Sequence, residues 1–134
     1  MKGEGKEVSG HDVLGYYKRK PVLEHYEEAT RRVGMWISEE LVFRQSFPDR
    51  EASLLELGCG TGRICLSLWM LGYENLTATD FSKPMIERAI LNQKERGSGV
   101  RFVVEDATNL SFPSNSFDGL IFGFNGLMQI PRRK

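Results

Sequence analysis

A glycine-rich turn between an apolar run and a long apolar helix is the feature that most restricts the fold of this sequence. Residues 54–57 are LLEL, and Gly58, Gly60 and Gly62 follow them. A chain that leaves a buried parallel strand and enters a helix must turn sharply and let a ligand approach its backbone, and glycine permits both. The pattern therefore predicts a strand, a turn and a helix that begin a ligand-binding α/β unit.

Two acidic residues lie where this unit would contact a ligand. Glu56 comes just before the turn, and its carboxylate would repel a pyrophosphate but would suit an ammonium or sulfonium group. Asp80 ends the next predicted strand, 18 residues after Gly62. An acid at that place can accept hydrogen bonds from both hydroxyls of a ribose. Together the two acids indicate a nucleoside ligand with a cationic end.

Two other nucleotide-binding motifs do not fit these glycines. The dinucleotide motif G-x-G-x-x-G, counted from Gly58, needs glycine where Arg63 stands, and counted from Gly60 it needs glycine where Cys65 stands. A phosphate-binding P-loop ends in G-K-[ST], and that triplet does not follow the turn. A nicotinamide-dependent reductase is therefore the weaker enzymatic alternative.

The segments ELGCGTG at 56–62 and TATDFS at 77–82 resemble the class I S-adenosylmethionine-dependent methyltransferases. The resemblance covers roughly residues 50–134. It implies an α/β fold with a Rossmann-like, doubly wound parallel sheet in strand order 3-2-1-4. It also implies S-adenosylmethionine as the cofactor and methyl transfer as the activity, and we expect a small-molecule acceptor.

The resemblance also implies a set of cofactor contacts. Phe81 is expected against the adenine face, the Asp106 carboxylate at the adenine amino group, and the Ala107 N–H at a ring nitrogen. Tyr26 is the expected contact from an N-terminal helix that folds over the cofactor, although packing of aromatic side chains without a ligand is an open alternative. The predicted cofactor-binding residues are Tyr26, Glu56, Gly58, Gly60, Gly62, Asp80, Phe81, Asp106, Ala107, Gly123 and Asn125.

Residues 123–126, with the sequence GFNG, fall where the methyl donor and acceptor would meet in the resembled family. The N-P-P-[YF] signature of enzymes that methylate exocyclic amines is absent, because Gly126 and Leu127 stand in place of its prolines. This difference disfavours a nucleic-acid base or a glutamine side chain as the acceptor.

No catalytic residue and no metal ligand is predicted. Cys59 and Cys65 lack the further ligands that a zinc site requires, and we expect them to be buried, reduced thiols. Several side chains have the chemistry of a general base, but no pattern distinguishes one of them. They are His25, Tyr16, Tyr17 and Asn125.

The helical and strand patterns divide the chain into two parts. Residues 1–50 are expected to form a mobile tail, to about residue 12, and a helical cap over 21–47 that Gly34 splits. Residues 51–134 are expected to form the N-terminal half of the cofactor-binding domain. Its predicted elements are helix 61–71, strand 76–80, a helix between Ser82 and Gly97, and strands 100–104 and 117–122.

Composition limits the partners of the chain. Its 134 residues, 40% of them hydrophobic, suffice for one domain, and its net charge of zero does not favour nucleic acid or an anionic membrane. With no apolar segment of membrane-spanning length and a polar start, we expect a cytoplasmic protein.

The resembled fold continues with three more strands beyond strand four. We therefore expect the sequence to be part of a longer methyltransferase. Strand 117–122 would then be an apolar edge able to pair with a second copy in a homodimer. A chain that binds the cofactor without turnover is the alternative function.

Overall fold

The computed structural model describes residues 9–123. At its centre lies a four-stranded parallel sheet formed by β1 (Leu54–Leu57), β2 (Leu76–Asp80), β3 (Arg101–Val104) and β4 (Gly119–Ile121). The strands follow the order β3-β2-β1-β4. This order confirms the predicted fold class and strand order.

The two central strands are buried because helices cover the sheet. Every residue of β1 and β2 is buried, as expected for parallel strands with both faces packed. Helix α4 (Arg63–Met70) buries Ile64, Cys65, Leu66 and Leu68, and helix α5 (Lys83–Arg96) buries Met85, Ile86 and Ala89. These apolar faces and the strands form one core, which holds the glycine turn at the carboxyl end of β1.

Three helices precede the sheet: α1 (Gly10–Tyr17), α2 (Lys20–Arg32) and α3 (Ile37–Ser46). Helix α1 begins inside the segment expected to be a tail, so that expectation was wrong for residues 10–12. A capping box explains the difference, since the Ser9 hydroxyl accepts from the Asp12 N–H (3.2 Å) and the Asp12 carboxylate accepts from the Ser9 N–H (3.0 Å).

Several predicted helix boundaries are confirmed. Gly34 separates α2 from α3 in a left-handed conformation (φ 59°), and Gly97 ends α5 in the same way (φ 67°). Ser82 is the N-cap residue of α5, but its side chain makes no capping bond, and its buried Oγ has no partner among the described residues.

Strand β4 is shorter than the predicted 117–122. Asp118 lies outside it and accepts a hydrogen bond from the Ser53 N–H at 2.8 Å, which joins the start of β4 to the start of β1. Gly119 allows the close approach of Phe47, because a Cβ at position 119 would overlap the Phe47 ring. Within residues 9–123, β4 pairs with β1 alone, and Leu120 is 55% exposed.

The described helices do not reach the length and apolar content needed to cross a membrane.

Candidate functional site

The glycine turn between β1 and α4 uses backbone conformations that favour glycine. Gly58, Gly60 and Gly62 have φ values of 66°, 56° and 97°. The Cys59 N–H donates to the Thr79 carbonyl at 2.9 Å, which ties the turn to β2. A Cβ on Gly62 would lie 2.9 Å from Leu66 Cδ1. The turn thus requires glycine for backbone reasons before any ligand is considered.

Asp80 lies at the carboxyl end of β2 and holds the turn. Its Oδ2 accepts from the Gly60 N–H at 2.9 Å, and its Oδ1 accepts from the Ser82 N–H at 2.9 Å. Burial raises the pKa of Asp80, while these backbone hydrogen bonds oppose the rise. A carboxylate has about four lone-pair positions, so acceptor capacity remains for a ligand.

Glu56 is buried in the middle of the sheet beside the turn. Its side chain is 5% exposed, and Oε2 has no hydrogen-bond partner among the described residues. Burial raises the pKa of Glu56 to about 7, and hydrogen bonding from Cys65 and the charge of Arg63 work against that rise. An unpaired buried acceptor costs about 1–3 kcal/mol, so a donor that reached Oε2 would recover that cost.

A cleft of about 180 Å³ opens between the glycine turn and helix α2. Its floor is formed by the turn and Glu56, and its other wall by α2 and the turn that leads into α3. The lining residues are His25, Tyr26, Ala29, Thr30, Val33, Trp36, Glu56, Gly58, Cys59, Gly60, Thr61, Arg63, Ile64 and Gly123.

An aromatic cluster lies beside Asp80 at the end of β2. The Tyr17 ring is 5.7 Å from the Tyr26 ring and 6.2 Å from the Phe81 ring, measured between centroids. Burial raises the pKa of Tyr17, and the hydrogen bond with Tyr26 and the charge of Asp80 act in the same direction. Helix α1 therefore covers the carboxyl end of β2, where Asp80 was predicted to bind the ribose.

The carboxyl end of β3 lies next to the carboxyl end of β2. The Glu105 N–H donates to the Asp80 carbonyl at 3.0 Å, which brings the following residue, Asp106, near the end of β2. Asp106 is exposed, and its Oδ1 accepts from the N–H (2.8 Å) and the hydroxyl (2.7 Å) of Thr108.

Comparisons with known proteins agree with this geometry. A family model described as a methyltransferase domain matches residues 54–134. This chain belongs to the class I S-adenosylmethionine-dependent methyltransferases. The family predicted from the sequence is thereby confirmed.

The names of two curated relatives of this methyltransferase indicate different methyl acceptors. It is 36% identical over 85 residues to demethylmenaquinone methyltransferase of Desulfitobacterium hafniense (strain Y51). The aligned region covers 59% of this chain and 32% of that protein. It is 30% identical over 112 residues to EEF1A lysine methyltransferase 2 of Danio rerio, which covers 78% of this chain and 47% of that protein. The chain thus spans less than half the length of either relative.

A solved structure shows the same architecture. The TehB-like SAM-dependent methyltransferase of Corynebacterium glutamicum matches with a TM-score of 0.62 and 26% identity. The match covers 81% of this chain and 58% of that one.

The structure brings some predicted residues of the methyltransferase together and leaves others apart. Those that line the cleft are Tyr26, Glu56, Gly58, Gly60 and Gly123. Gly62 shapes the turn and Asp80 holds it, but neither lines the cleft. Phe81, Asp106 and Ala107 do not line it either. Asn125 lies outside the described residues.

Sequence reasoning missed the polar contacts that attach α2 to the glycine turn. The hydroxyls of Thr30 and Thr61, each 1% exposed, lie 2.7 Å apart, and Thr61 also donates to the Tyr26 carbonyl at 3.1 Å. Asn92 in α5 donates to the Thr61 carbonyl at 3.0 Å. Threonine within an amphipathic helix gives no sign of such pairing, because helical periodicity reports only where apolar residues lie.

Sequence reasoning also missed a role for Arg63, which served only to exclude the dinucleotide motif. Its guanidinium donates to both oxygens of Glu39, at 2.6 and 2.8 Å, and to the Gly34 carbonyl at 3.0 Å. This bidentate pair joins the first residue of α4 to the turn between α2 and α3.

Cys59 and Cys65 are buried and reduced, as expected, and burial raises the pKa of both thiols. Among residues 9–123 we find no cluster of three His, Cys, Asp or Glu side chains placed to hold a metal ion.

Proposed function

We propose that this methyltransferase binds the methionine end of S-adenosylmethionine in the cleft and transfers the methyl group of this cofactor to a small molecule. The observation that carries the proposal is the buried Glu56 Oε2, which has no hydrogen-bond partner within residues 9–123. In the proposed complex, Glu56 accepts a hydrogen bond from the ammonium group of the cofactor. The first backbone N–H groups of α4, which follow Gly62, face the cofactor carboxylate, since a helix N-terminus favours negative charge.

The ribose and adenine are proposed to lie over the ends of β2 and β3. Support comes from the lone pairs that remain on Asp80 and from the hydrogen bond that places the end of β3 beside it. Phe81, Asp106 and Ala107 lie on this side of the sheet and form the proposed adenine end. Gly123 lines the cleft and belongs to the proposed acceptor side, together with Asn125.

Bound S-adenosylmethionine supplies a methyl group on a positively charged sulfur, so the protein need not provide a nucleophile. The residues of this chain bind and orient. Glu56 and Asp80 fix the two ends of the ligand, and α2 shields the turn from water on one side. Correct placement of two reactants is worth as much as about 7–11 kcal/mol, which makes orientation the main contribution of such a site.

A small molecule is the proposed acceptor. The names of the relatives include both a quinone precursor and a lysine in a protein. The cleft wall favours the small molecule, because Ala29, Val33, Trp36 and Ile64 present apolar side chains there. The net charge of zero supports the absence of a nucleic-acid partner.

Calorimetry tests cofactor binding. We expect S-adenosylhomocysteine to bind the wild-type chain with a dissociation constant on the order of 10 μM and Glu56→Gln to weaken it about tenfold to a hundredfold, because a charge-assisted hydrogen bond is lost. Glu40→Gln is the control, since Glu40 pairs with Arg44 on α3 and does not line the cleft. Binding of NAD in place of S-adenosylhomocysteine would contradict the proposal and favour a reductase.

A second candidate function is cofactor binding without turnover. It is favoured by the described lining of the cleft, in which no residue is assigned a catalytic role. A radiolabelled methyl-transfer assay against small-molecule acceptors distinguishes the two functions. Transfer supports the enzyme, whereas cofactor binding without transfer to any acceptor supports the second candidate.

We also propose that β4 pairs with a second copy to give a homodimer. Among the described strands its outer edge is unpaired, and Leu120 is 55% exposed. Light scattering after size exclusion is expected to show a dimer that Leu120→Lys converts to a monomer. A monomeric wild-type chain would refute this proposal without affecting the cofactor site.

A further inference from the structure

A second cavity, of about 450 Å³, adjoins the cleft at the carboxyl end of α2. Thr30 and Val33 line both cavities. Of the residues that the structure describes, none in the glycine turn lines the second cavity, so a ligand there is separate from one on the turn. Its charged lining residues are Arg31, Arg32 and Arg96, and its apolar ones include Val33 and Met70.

Arg96 joins this cavity to helix α2. It is the last residue of α5, it is partly buried, and its Nη2 donates to the Thr30 carbonyl at 2.9 Å. Within residues 9–123, no carboxylate forms an ion pair with its guanidinium. A guanidinium has five N–H donors, so most of those of Arg96 remain for a ligand. A partly buried positive charge of this kind favours an anion beside it.

Arg31 and Arg32, in the last turn of α2, pair with acids only weakly. Arg31 Nη2 lies 3.4 Å from Glu27 Oε1 and 3.5 Å from Glu95 Oε1. Arg32 Nη1 lies 3.2 Å from Glu28 Oε1. Because the two arginine side chains are 54% and 77% exposed, solvent screens these pairs and they contribute little. Both guanidiniums can therefore turn to a phosphate, which accepts two parallel and stronger bonds from each.

The arginines also lie at the carboxyl ends of helices, where positive charge is favourable without any ligand. That role explains their positions in α2 and α5, but it does not explain the apolar side chains beside them. Val33 is 53% exposed and Met70 is 73% exposed, and both line the same cavity. An anion that carries a small apolar group would cover this exposed area and contact the positive charges at once.

We propose that this cavity is a second ligand site, which binds a small organic phosphate monoester. The phosphate group contacts Arg96, Arg31 and Arg32, and the organic group lies against Val33 and Met70. A phosphate monoester has close to two negative charges at neutral pH, which suits three guanidiniums better than a single carboxylate does. A cavity of about 450 Å³ has room for a phosphate with one ring attached.

The first experiment measures binding of phenyl phosphate to the wild-type chain by calorimetry. We expect a dissociation constant on the order of 100 μM, which Arg96→Gln weakens about tenfold because a charge-assisted contact is lost. Arg88→Gln is the matched control. Arg88 also lies in α5 and pairs with Glu27 at 3.3 Å, but it does not line the cavity.

The second experiment uses exposed residues, so that it does not depend on how well Arg96→Gln folds. Arg32→Gln is expected to weaken phenyl phosphate about threefold. Met70→Ser is expected to weaken phenyl phosphate about threefold and to leave the affinity for inorganic phosphate unchanged, because it removes only apolar contact. Thermal unfolding midpoints that match the wild type show that these changes are not general loss of structure.

A third comparison locates the anion. Glu56→Gln removes a carboxylate from the cleft and is expected to leave the affinity for phenyl phosphate unchanged. Tighter binding in this variant would place the anion in the cleft and refute the second site, because the carboxylate would have repelled it.

Four further results would contradict the proposal. They are failure of the wild-type chain to bind phenyl phosphate, wild-type affinity in Arg96→Gln, equal weakening in Arg88→Gln, and binding of phenol as tight as that of phenyl phosphate. Equal weakening in Arg88→Gln would mean that general surface charge attracts the probe. None of these measurements uses S-adenosylhomocysteine, so failure of this proposal and failure of the proposed function are observed separately.

Discussion

The glycine turn and the N-terminal helices form opposite walls of one cleft, but they are held by different forces. The turn is fixed by backbone conformation and by two of its own N–H groups, since Cys59 donates to the Thr79 carbonyl and Gly60 donates to the Asp80 carboxylate. The helices are attached by side chains far apart in sequence, such as Thr30 with Thr61 and Glu39 with Arg63. The first wall therefore depends on glycine conformations and on contacts with the adjacent strand β2, whereas the second depends on pairs of side chains from separate helices.

The largest effect is expected from a glycine of the first wall. Gly62→Ala combines a φ of 97° with a contact of 2.9 Å to Leu66 Cδ1, and we expect it to lower the free energy of unfolding by about 3 kcal/mol. Gly34→Ala, in the second wall, has φ 59° and meets only Ser67 Oγ at 3.5 Å, so about 1 kcal/mol is expected. Urea unfolding measures both, and equal losses would contradict the proposed difference between the walls.

The next effect concerns pH. Burial raises the pKa of Glu56 in the folded state to about 7, above the 4.5 of an exposed glutamate. The folded state therefore retains a proton that the unfolded state releases, and the stabilisation present below about pH 4.5 is lost as the pH rises through 7. Relative to wild type, Glu56→Gln is expected to gain stability by about 2–3 kcal/mol between pH 4.5 and 8. Parallel stability–pH curves for the two proteins would refute the raised pKa.

The same carboxyl group is expected to link cofactor binding to pH. An ammonium ligand requires ionised Glu56, so wild-type affinity for S-adenosylhomocysteine is expected to rise about tenfold from pH 6 to 7.5. Glu56→Gln is expected to bind weakly at both pH values. Calorimetry at the two pH values measures this difference, and an equal rise in the variant would assign the linkage to another group.

A smaller effect is expected from the buried hydroxyl pair of the second wall. Thr30→Val and Thr61→Val are each expected to cost about 1 kcal/mol, because each removes the hydrogen bond between the two buried hydroxyls, whereas the hydroxyl that remains can still donate to the Tyr26 carbonyl. The double variant is expected to cost about 1 kcal/mol less than the sum, as for residues in direct contact. Additive losses in urea unfolding would mean that the two hydroxyls do not stabilise the docking of α2 as a pair.

The smallest effect is expected at an exposed ion pair of the second wall. Lys20 Nζ lies 3.8 Å from Glu24 Oε1, and both side chains are largely exposed. Glu24→Gln is expected to change the free energy of unfolding by less than about 0.5 kcal/mol. A larger change would show that charge on the outer surface of α2 also contributes to its attachment.

The sequence was sufficient to predict most of the sheet and the glycine turn. Apolar runs predicted the strands, because this signal comes from neighbouring residues, and the family resemblance implied the strand order that the sheet has. The attachment of the helices was not predictable in this way. Thr30 and Arg63 have no local pattern that identifies Thr61 and Glu39 as their partners, since each pair is at least 24 residues apart.

The hydrogen bond between Asp80 and the Gly60 N–H makes one carboxylate serve two purposes. Replacement of Asp80 by alanine removes the acceptor of the Gly60 N–H together with the proposed ribose contact. Loss of affinity in Asp80→Ala would accordingly combine a backbone defect with a missing ligand bond. A change of the sugar bound at this residue would therefore also have to preserve an acceptor for the Gly60 N–H.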